Sequence, residues 1–404
     1  MKTILLGAAS AFALFTASTA FAAGSTSTVG QSGTGQNATV DQVAATGGQA
    51  TVSQGGTLNT ANVTQSQGAY GANNPSNTLD STQLGDKGLV TSVQLGDGAA
   101  TIKQDVGSTN DHALNYQEGY SNASNIYQAG SGNSGEVAQT GNSNQAMVVQ
   151  TGTGDATDFG GASTSTRYYY ETPDAGTLAN GKMIGFDGVS VEQVGNGNLG
   201  SANQAGQYNE QLIYQKGDGN IAQDVQGAGA INTGAVTGQI GNGNLASITQ
   251  DGGASGAWTN QTGDGNAAFV SQIGSNGSVV NQTANGAFAS VNQTGTNTST
   301  VNQNSAAYAY VTQNGAANNS LVTQTSLAYG SVANVNQFGS NGVSTVTQNG
   351  SFETATLNQY AALNTSNITQ GGGMNNQATV DQYTGNNVSN VTQMGSWNTA
   401  AITQ

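Results

Sequence analysis

Hydrophobic and polar positions in this chain follow a repeat of eleven residues, which becomes visible when the sequence is aligned on glutamine. A Gln recurs 31 times at this phase, and 19 of the 29 intervals within two runs are eleven residues long. The best-formed unit, residues 239–250, reads QIGNGNLASITQ. Self-similarity at a short fixed period indicates a stacked repeat architecture and not an ordinary globular domain.

Within each unit, the preferred residue types precede the closing Gln by even numbers of residues. Asn lies six residues before it in 17 of 31 units, and Val, Ile or Leu lies two before it in 24. Even offsets place side chains on one face of a β-strand. One face of the best-formed unit is therefore expected to carry Asn244, Ala246, Ile248 and Gln250. The Gly- and Asn-rich residues between strands have turn chemistry.

Each unit thus predicts one strand of about six residues followed by a tight turn. A lone strand cannot bury its face, so two units, about 22 residues, are expected to form one strand–turn–strand layer. The predicted fold is all-β: a β-solenoid or cross-β stack with two strands per layer and about 15 layers, spaced by about 4.8 Å. In such a stack each carboxamide can bond its equivalents above and below.

The predicted ladder consists of repeat Gln and Asn residues, with Val, Ile, Ala and Ser filling a thin dry core between them. Its members are Gln239, Gln250, Gln261, Gln272, Gln293, Gln348, Gln370, Gln382, Gln393, Gln404, Asn244, Asn266, Asn376 and Asn398. The fixed phase of these residues relative to Val and Ile argues against their being solvated low-complexity filler.

The first 22 residues interrupt the pattern and read as a signal peptide. Lys2 gives a short positive region, an apolar run follows, and Ala20 and Ala22 form a cleavage motif, so the mature chain is expected to start at Ala23. A buried helix or membrane anchor is the less favoured alternative, because the segment is short and has the wrong flanks. The protein is therefore expected to be exported.

The repeats fall into two arrays, residues 23–150 and 191–404, separated by a non-repeat insertion at 151–190. The insertion contains Pro173, Arg167 and three consecutive tyrosines. It is interpreted as a loop ejected from the solenoid or a small hairpin. A contact site made by Arg167 and the tyrosines is the alternative, since Arg and aromatic residues are common in binding surfaces.

Composition mainly excludes functions. With 6 Lys and Arg against 21 Asp and Glu, a formal charge of -15, the chain is a poor nucleic-acid binder. It has no Cys and a single His, which excludes disulfides and thiolate metal sites and leaves no acid–base site, so we expect no enzyme activity, metal or cofactor. A polysaccharide-cleaving β-helix would need clustered carboxylates. No apolar run after the leader approaches the ~20 residues of a membrane-spanning helix.

Two weaker signals point to other solenoid functions. Gly-Asp turns recur, as at Asp218 and Asp264, but calcium-binding rolls use a nine-residue spacing, so turn-forming Asp is the favoured interpretation. Thr precedes many closing Gln residues, as at Thr249, which suggests an ice-binding face. The second Thr row that such a face needs is irregular.

The pattern N-x-A-x-x-x-Q, with Q-x-G-x-x-N between units, resembles the curlin repeat. The resemblance covers most of residues 29–150 and 191–404, and full matches include Asn244-Ala246-Gln250, Asn266-Ala268-Gln272, Asn376-Ala378-Gln382 and Asn398-Ala400-Gln404. Curlins are subunits of curli, the extracellular amyloid fibres of Gram-negative bacteria, and most are much shorter. The resemblance implies a β-solenoid fold, fibre assembly at the cell surface, an outer-membrane export pore and a nucleating partner.

We therefore expect a secreted structural subunit of a curli-like functional amyloid fibre, or fimbrium, which supports biofilm matrix and cell adhesion by edge-to-edge stacking with copies of itself. Residues 397–404 read as a regular strand without the charge, Pro or cover that blunts edge strands. The alternative is a monomeric or surface-associated β-solenoid adhesin that does not polymerise.

Charge is distributed unevenly, and this bears on assembly. The N-terminal array carries eight acidic residues, whereas from residue 283 onward only Glu353 and Asp381 are charged. Like charges in adjacent layers would lie roughly 5 Å apart and repel. The C-terminal part is therefore expected to assemble faster.

Overall fold

The computed structural model describes residues 24–43, 47–66, 77–153 and 188–404, and these form strands and turns. The predicted signal peptide, Ala22 and Ala23 at its cleavage site, and most of the predicted insertion lie outside the described residues. The described residues contain no helix long and apolar enough to span a membrane.

The chain divides into two compact units, whose described residues are 24–153 with 188–219 in unit 1, and 220–404 in unit 2. The strands of unit 1 are β1 (Thr26–Gln31), β2 (Asn37–Val43), β3 (Gln49–Gln54), β4 (Thr60–Ser66), β5 (Thr78–Gln83), β6 (Leu89–Gln104), β7 (His112–Gln128), β8 (Ser134–Thr140), β9 (Gln145–Gln150), β10 (Val189–Val194), β11 (Leu199–Gln204) and β12 (Glu210–Lys216).

Unit 2 continues the same pattern of short strands and turns. Its strands are β13 (Ile221–Gln226), β14 (Gly234–Ile240), β15 (Leu245–Asp251), β16 (Gly256–Thr262), β17 (Ala267–Gly274), β18 (Gly277–Gln282), β19 (Phe288–Gln303), β20 (Tyr308–Gln324), β21 (Val332–Gln337), β22 (Val343–Ser351), β23 (Thr354–Gln359), β24 (Thr365–Met374), β25 (Gln377–Gln382), β26 (Val388–Met394) and β27 (Thr399–Thr403).

Pairing within each unit is parallel and in register between equivalent strands of successive layers. In unit 1, β1 pairs with β3 and β2 with β4. In unit 2, β15 pairs with β17 and β14 with β16, so that Gln250 lies against Gln272 and Gln239 against Gln261. Successive partners are about 22 residues apart. The predicted all-β solenoid with two strands per layer is confirmed.

Strand length departs from the prediction at four places. β6, β7, β19 and β20 contain 16 or 17 residues, because each runs through a corner and supplies a segment to both strand stacks of its layer. The shift in register at this corner, for example between Thr296 and Thr298, accommodates the bend. Each of these long strands therefore contains two eleven-residue units, one on either side of the corner.

The interruption after Gln150 leaves the stacking of unit 1 intact. β8 pairs with β10 and β9 with β11, so Gln139 and Gln193, 54 residues apart, occupy neighbouring layers. The repeat resumes at Val189, two residues before the expected residue 191. Strand pairing in unit 1 is therefore in register across the 54 residues that separate Gln139 from Gln193.

Alternation along the strands separates a buried face from an outer face. Ala246, Ile248 and Gln250 are fully buried, whereas Thr249 between them is exposed. In unit 2 the column two residues before the closing Gln is aliphatic from Val270 to Val391. This narrow apolar column is the core of the unit, because the layer is only two strands thick.

Acidic side chains in the paired strands of each unit do not stack on one another. Asp80 in β5 lies between Thr51 of β3 and Thr101 of β6, and Asp41 in β2 lies against Thr64 of β4. The expectation that like charges of adjacent layers repel at roughly 5 Å is therefore wrong for these strands, because each acid meets neutral neighbours.

Candidate functional site: carboxamide ladders

Two columns of Gln side chains run along the stacking direction in each unit. The side-chain amide of each Gln donates to the side-chain oxygen of the Gln in the next layer, for example from Gln250 to Gln272 at 2.9 Å and from Gln239 to Gln261 at 2.8 Å. The direction is the same throughout, from the earlier residue to the later one.

The columns contain all 31 repeat glutamines. In unit 1 they are Gln31, Gln54, Gln83, Gln104, Gln128, Gln150 and Gln204, and Gln42, Gln65, Gln94, Gln117, Gln139, Gln193 and Gln215. In unit 2 they are Gln226, Gln250, Gln272, Gln293, Gln313, Gln337, Gln359, Gln382 and Gln404, and Gln239, Gln261, Gln282, Gln303, Gln324, Gln348, Gln370 and Gln393.

The second amide proton of a ladder Gln joins the two strands of its own layer. Gln250 Nε2 donates to the backbone carbonyl of Gly234 at 3.1 Å, and Gln272 Nε2 to that of Gly256 at 3.2 Å. In each pair the acceptor is the first residue of the facing strand. Both donors of the carboxamide are thus used, which meets the requirement for burying this group without a large cost.

Asn at the position six residues before Gln holds the turns together. Asn244 Oδ1 accepts the backbone N–H of Asn266 at 3.0 Å, and its Nδ2 donates to the carbonyl of Gly263 at 2.8 Å. Asn376 makes the equivalent contacts with Asn398 N–H at 3.0 Å and with the Gly395 carbonyl at 2.7 Å. The Asn column therefore satisfies turn backbone groups that strand pairing leaves over.

Each of the fourteen ladder residues named from the sequence lies on one of these columns. Twelve are buried, whereas Asn398 is partly exposed and Gln404 is exposed. Gln404 accepts from Gln382 at 3.1 Å and donates to the Val388 carbonyl. The same columns include Gln residues of less regular units, and the alignment of the repeats on Gln already contained these residues.

Asp and Asn side chains in the exposed turns form a further row of contacts between layers, which the sequence analysis did not predict. Asp264 Oδ1 accepts the backbone N–H of Asn242 at 2.7 Å, and Asp218 Oδ1 accepts that of Asn196 at 2.8 Å. These Asp residues therefore serve the turns, as the preferred interpretation of the Gly-Asp motif holds. The described residues contain no group of three or more His, Asp or Glu arranged to hold a metal ion.

Exposed aromatic rings stack between layers of unit 2 at the position after the closing Gln. Phe338, Tyr360 and Tyr383 lie nearly parallel, with centroids 5.7 and 5.0 Å apart. A second aromatic patch lies on the outer face of β17, β19 and β20, where ring centroids are 5.5 to 6.3 Å apart. Its members are Phe269, Phe288, Tyr308 and Tyr310.

Three carboxyl groups lie inside the stack at positions that other units fill with Asn or an aliphatic residue: Asp111, Asp224 and Glu353. Burial raises the pKa of Asp111 to about 6 and the pKa of Asp224 to about 7. Burial also raises the pKa of Glu353 above its ordinary value. The cause in each is loss of hydration of the charged form.

The arrangement is suited to templating more strands of its own kind, because each layer presents the same pattern of donors and acceptors as the one before it. No protein-family model matches the chain, and no curated protein matches it, so the resemblance to curlins rests on the repeat motif.

Proposed function

We propose that this protein is a secreted structural subunit of a curli-like extracellular functional amyloid fibre. The observation that supports this most directly is the single direction of the Gln columns within each unit, where every side-chain amide donates to the next layer. Because all amides of a column point the same way, its first layer offers side-chain oxygens and its last layer offers amide protons. The first layer of one copy is therefore complementary to the last layer of another.

Assembly would proceed by adding the strands of one copy to the strand edge of another. Parallel in-register pairing would extend the backbone bonds and both Gln columns at once. Peptides that add a strand to a sheet edge gain affinity from main-chain bonds. Stacked Asn and Gln side chains add to this in cross-β fibres. The chain would therefore be its own principal partner.

The remaining features of this proposal follow from the sequence resemblance. The signal peptide would direct export, and an outer-membrane pore and a nucleating partner would deliver and start the fibre. The fibre would lie on the surface of a Gram-negative cell and contribute to biofilm matrix and adhesion. No catalytic activity, nucleic-acid binding or cofactor belongs to this function.

A monomeric or surface-associated adhesin is the second candidate, and the outer aromatic patch favours it. Tyr308 and Tyr310 are 44% and 40% exposed on a flat sheet face. Aromatic residues exposed in this way are common in contact surfaces. Such a protein would use the side of the stack and leave its strand edges unpaired.

Seeded growth of the secreted chain, residues 23–404, separates the two candidates. Fragments of preformed fibres are added to monomer, and thioflavin fluorescence and sedimentation are followed over time. A fibre subunit loses its lag phase on seeding and gives an oriented diffraction reflection near 4.8 Å along the fibre axis. An adhesin stays monomeric at every concentration and does not respond to seeds.

The Gln columns supply a matched pair of variants for this experiment. Gln393→Ala removes a buried ladder amide, whereas Thr392→Ala removes an exposed hydroxyl next to it. Slower elongation is expected for the first variant only. Equal elongation rates for both would contradict growth through the ladders, even if fibres form.

A further inference from the structure

Two inward positions that carry Asn in most units carry a carboxyl group instead, and Asp111 shows the consequence. Its Oδ1 accepts the backbone N–H of Asn133 at 2.8 Å, as an Asn would. Its buried Oδ2 has no hydrogen bond of normal geometry among the described residues, and the nearby Ser108 and Asn133 side chains lower the pKa of this carboxyl less than burial raises it. At the equivalent place before the next strand segment, which belongs to the other stack, Asn122 has an amide that donates to the Gly141 carbonyl at 2.9 Å. A carboxylate has no proton to donate.

Glu353 occupies the same position in unit 2 and is fully buried. Its Oε2 accepts the backbone N–H of Gly350 at 3.0 Å, and its Oε1 accepts Asn376 Nδ2 at 3.1 Å. The backbone N–H of Asn349 is a third neutral donor, and three neutral donors are a weak substitute for the hydration that a carboxylate has in water. Burial of the ionised form is therefore costly here as well.

Asp224 lies in the core column itself, two residues before Gln226, where most units carry Val or Ile. The facing position, two residues before Gln239, is Thr237, and its hydroxyl donates to Asp224 Oδ1 at 2.9 Å. The next residue of the column is Ile248. The chain thus replaces an apolar pair by a hydrogen-bonded polar pair in the middle of a layer.

Among the described residues beside Asp111 and Glu353 in their own units, charged side chains lie on the outer face or in exposed turns, as Asp86 and Lys87 do beside Asp111. The inward residues that face Asp224 from β14 and β15 are neutral, and so are those around Glu353 from β22, β24 and β25. Near Asp111, Lys103 pairs with Asp105 on the outer surface, and the neighbouring His112 lies on the other face of β7. The carboxyls are therefore set in an apolar and amide environment.

We propose that Asp111, Asp224 and Glu353 make this fold proton-controlled, so that the stack is loosened while they are ionised and tightens when they take up protons. Protonation removes the buried charge, and at Asp111 and Glu353 it also supplies an O–H donor where most units have an Asn amide. The outward carboxylates have no part in this control, because water solvates them in both states.

The direction of the pH effect follows from the raised pKa values. The ordinary pKa of Asp is 3.8, and folding raises it to about 6 at Asp111 and to about 7 at Asp224. Between these values the folded state binds protons that the unfolded state has released, so stability rises as the pH falls. For Asp224 alone, the folding equilibrium constant should increase on the order of a hundredfold from pH 8 to pH 5.

The test compares two variants of the secreted chain that remove the same amount of charge. The inward variant is Asp111→Asn with Asp224→Asn and Glu353→Gln. The outward control is Asp80→Asn with Asp97→Asn and Asp381→Asn. Urea unfolding of the non-assembled protein is followed by circular dichroism from pH 5 to pH 8.

The wild type and the outward control should both gain stability on acidification, whereas the inward variant should lose most of this dependence. An unchanged pH dependence in the inward variant, or the same loss in the outward control, would overturn the proposal. If the triple variant does not fold, Asp111→Asn alone serves, because it restores the commonest residue at that position. This readout is independent of fibre formation.

Discussion

Unit 1 and unit 2 each contain two Gln columns, but they differ in the core residues that lie next to these columns. In unit 1 the column two residues before the closing Gln includes Ser81, Ser92 and Asn115. In unit 2 the same column is polar at Asp224, Thr237 and Thr259, and it is aliphatic from Val270 to Val391 without a break. The ladders therefore keep their register through layers whose core position is polar.

The two units also differ in charge. Described charged residues of unit 1 are Asp41, Asp80, Asp86, Lys87, Asp97, Lys103, Asp105, Asp111, Glu118, Glu136, Glu192, Glu210, Lys216 and Asp218. Those of unit 2 are Asp224, Asp251, Asp264, Glu353 and Asp381. Unit 2 combines an apolar column that is continuous from Val270 to Val391 with outer faces that carry few charges.

The repeat motif has two roles, setting the strand register and supplying stability, and different residues of the motif fulfil them. Carboxamides set the register, because a shift leaves buried donors and acceptors unpaired. The aliphatic column supplies stability, because its burial removes apolar area from water. Unit 2 should therefore be the more stable unit, and its amides should exchange with deuterium more slowly than those of unit 1.

The largest expected effect comes from breaking the apolar column of unit 2. Ile368 is fully buried between Val346 and Val391 of the neighbouring layers. Ile368→Ala should lower the free energy of unfolding by about 2–5 kcal/mol through lost burial and a cavity. Deuterium exchange should show faster opening of unit 2. Thr369→Ala, on the outer face, is the control and should change little.

A smaller effect is expected from breaking one ladder. Gln250→Ala leaves the carboxamides of its neighbours in the column, including Gln272, without a partner, and should cost about 1–3 kcal/mol. Thr249→Ala removes an exposed side chain and should cost less than about 0.5 kcal/mol. Urea unfolding of both variants measures the difference. Equal costs would contradict the separation of inward and outward roles.

The comparison can also be sharpened by making unit 1 more like unit 2. The Ser81 hydroxyl is buried without a hydrogen-bond partner, between Val52 and Ile102 in its column. Ser81→Val should stabilise unit 1 by about 1 kcal/mol, because it removes an unsatisfied group and adds apolar burial. A lower unfolding midpoint would show that the layer has no room for the methyl groups.

The smallest effect is expected from outward charge. Asp80 meets only threonines in the adjacent layers, so Asp80→Asn should change stability by less than about 0.5 kcal/mol. Raising the salt concentration should alter the unfolding of unit 1 equally little, since there is no stacked repulsion to screen. A large salt response would mean that longer-range charge controls unit 1 after all.

Much of this fold can be read from the sequence because its period is short and its phase is strict. The even offsets from Gln250 to Ile248, Ala246 and Asn244 are sufficient to predict which face of the strand points inward. The parallel stack followed because a two-strand layer cannot bury its own face. The corner-spanning strands, such as β19, could not be foreseen, because their turns differ by only a residue or two from ordinary ones.

The repeat phase predicts which residues point inward, but it does not predict all of their side-chain partners. Glu353 lies six residues before Gln359, so the phase of the repeat could have identified it as an Asn substitute. Its partner Asn376 depends on the length of the Glu side chain, which reaches the next layer. The pairing of Asp224 with Thr237 across the layer required knowing how the two stacks face each other. The continuation of the column from Gln139 to Gln193 required the fold itself.

The uniform direction of the Gln amides has an electrical consequence. Each amide is a dipole, and within a unit all of them align along the stacking direction, as backbone amides do in a helix. Each unit therefore has a permanent dipole moment along that direction. Filaments that joined such units head to tail would orient in an electric field, whereas a bundle of oppositely directed filaments would not.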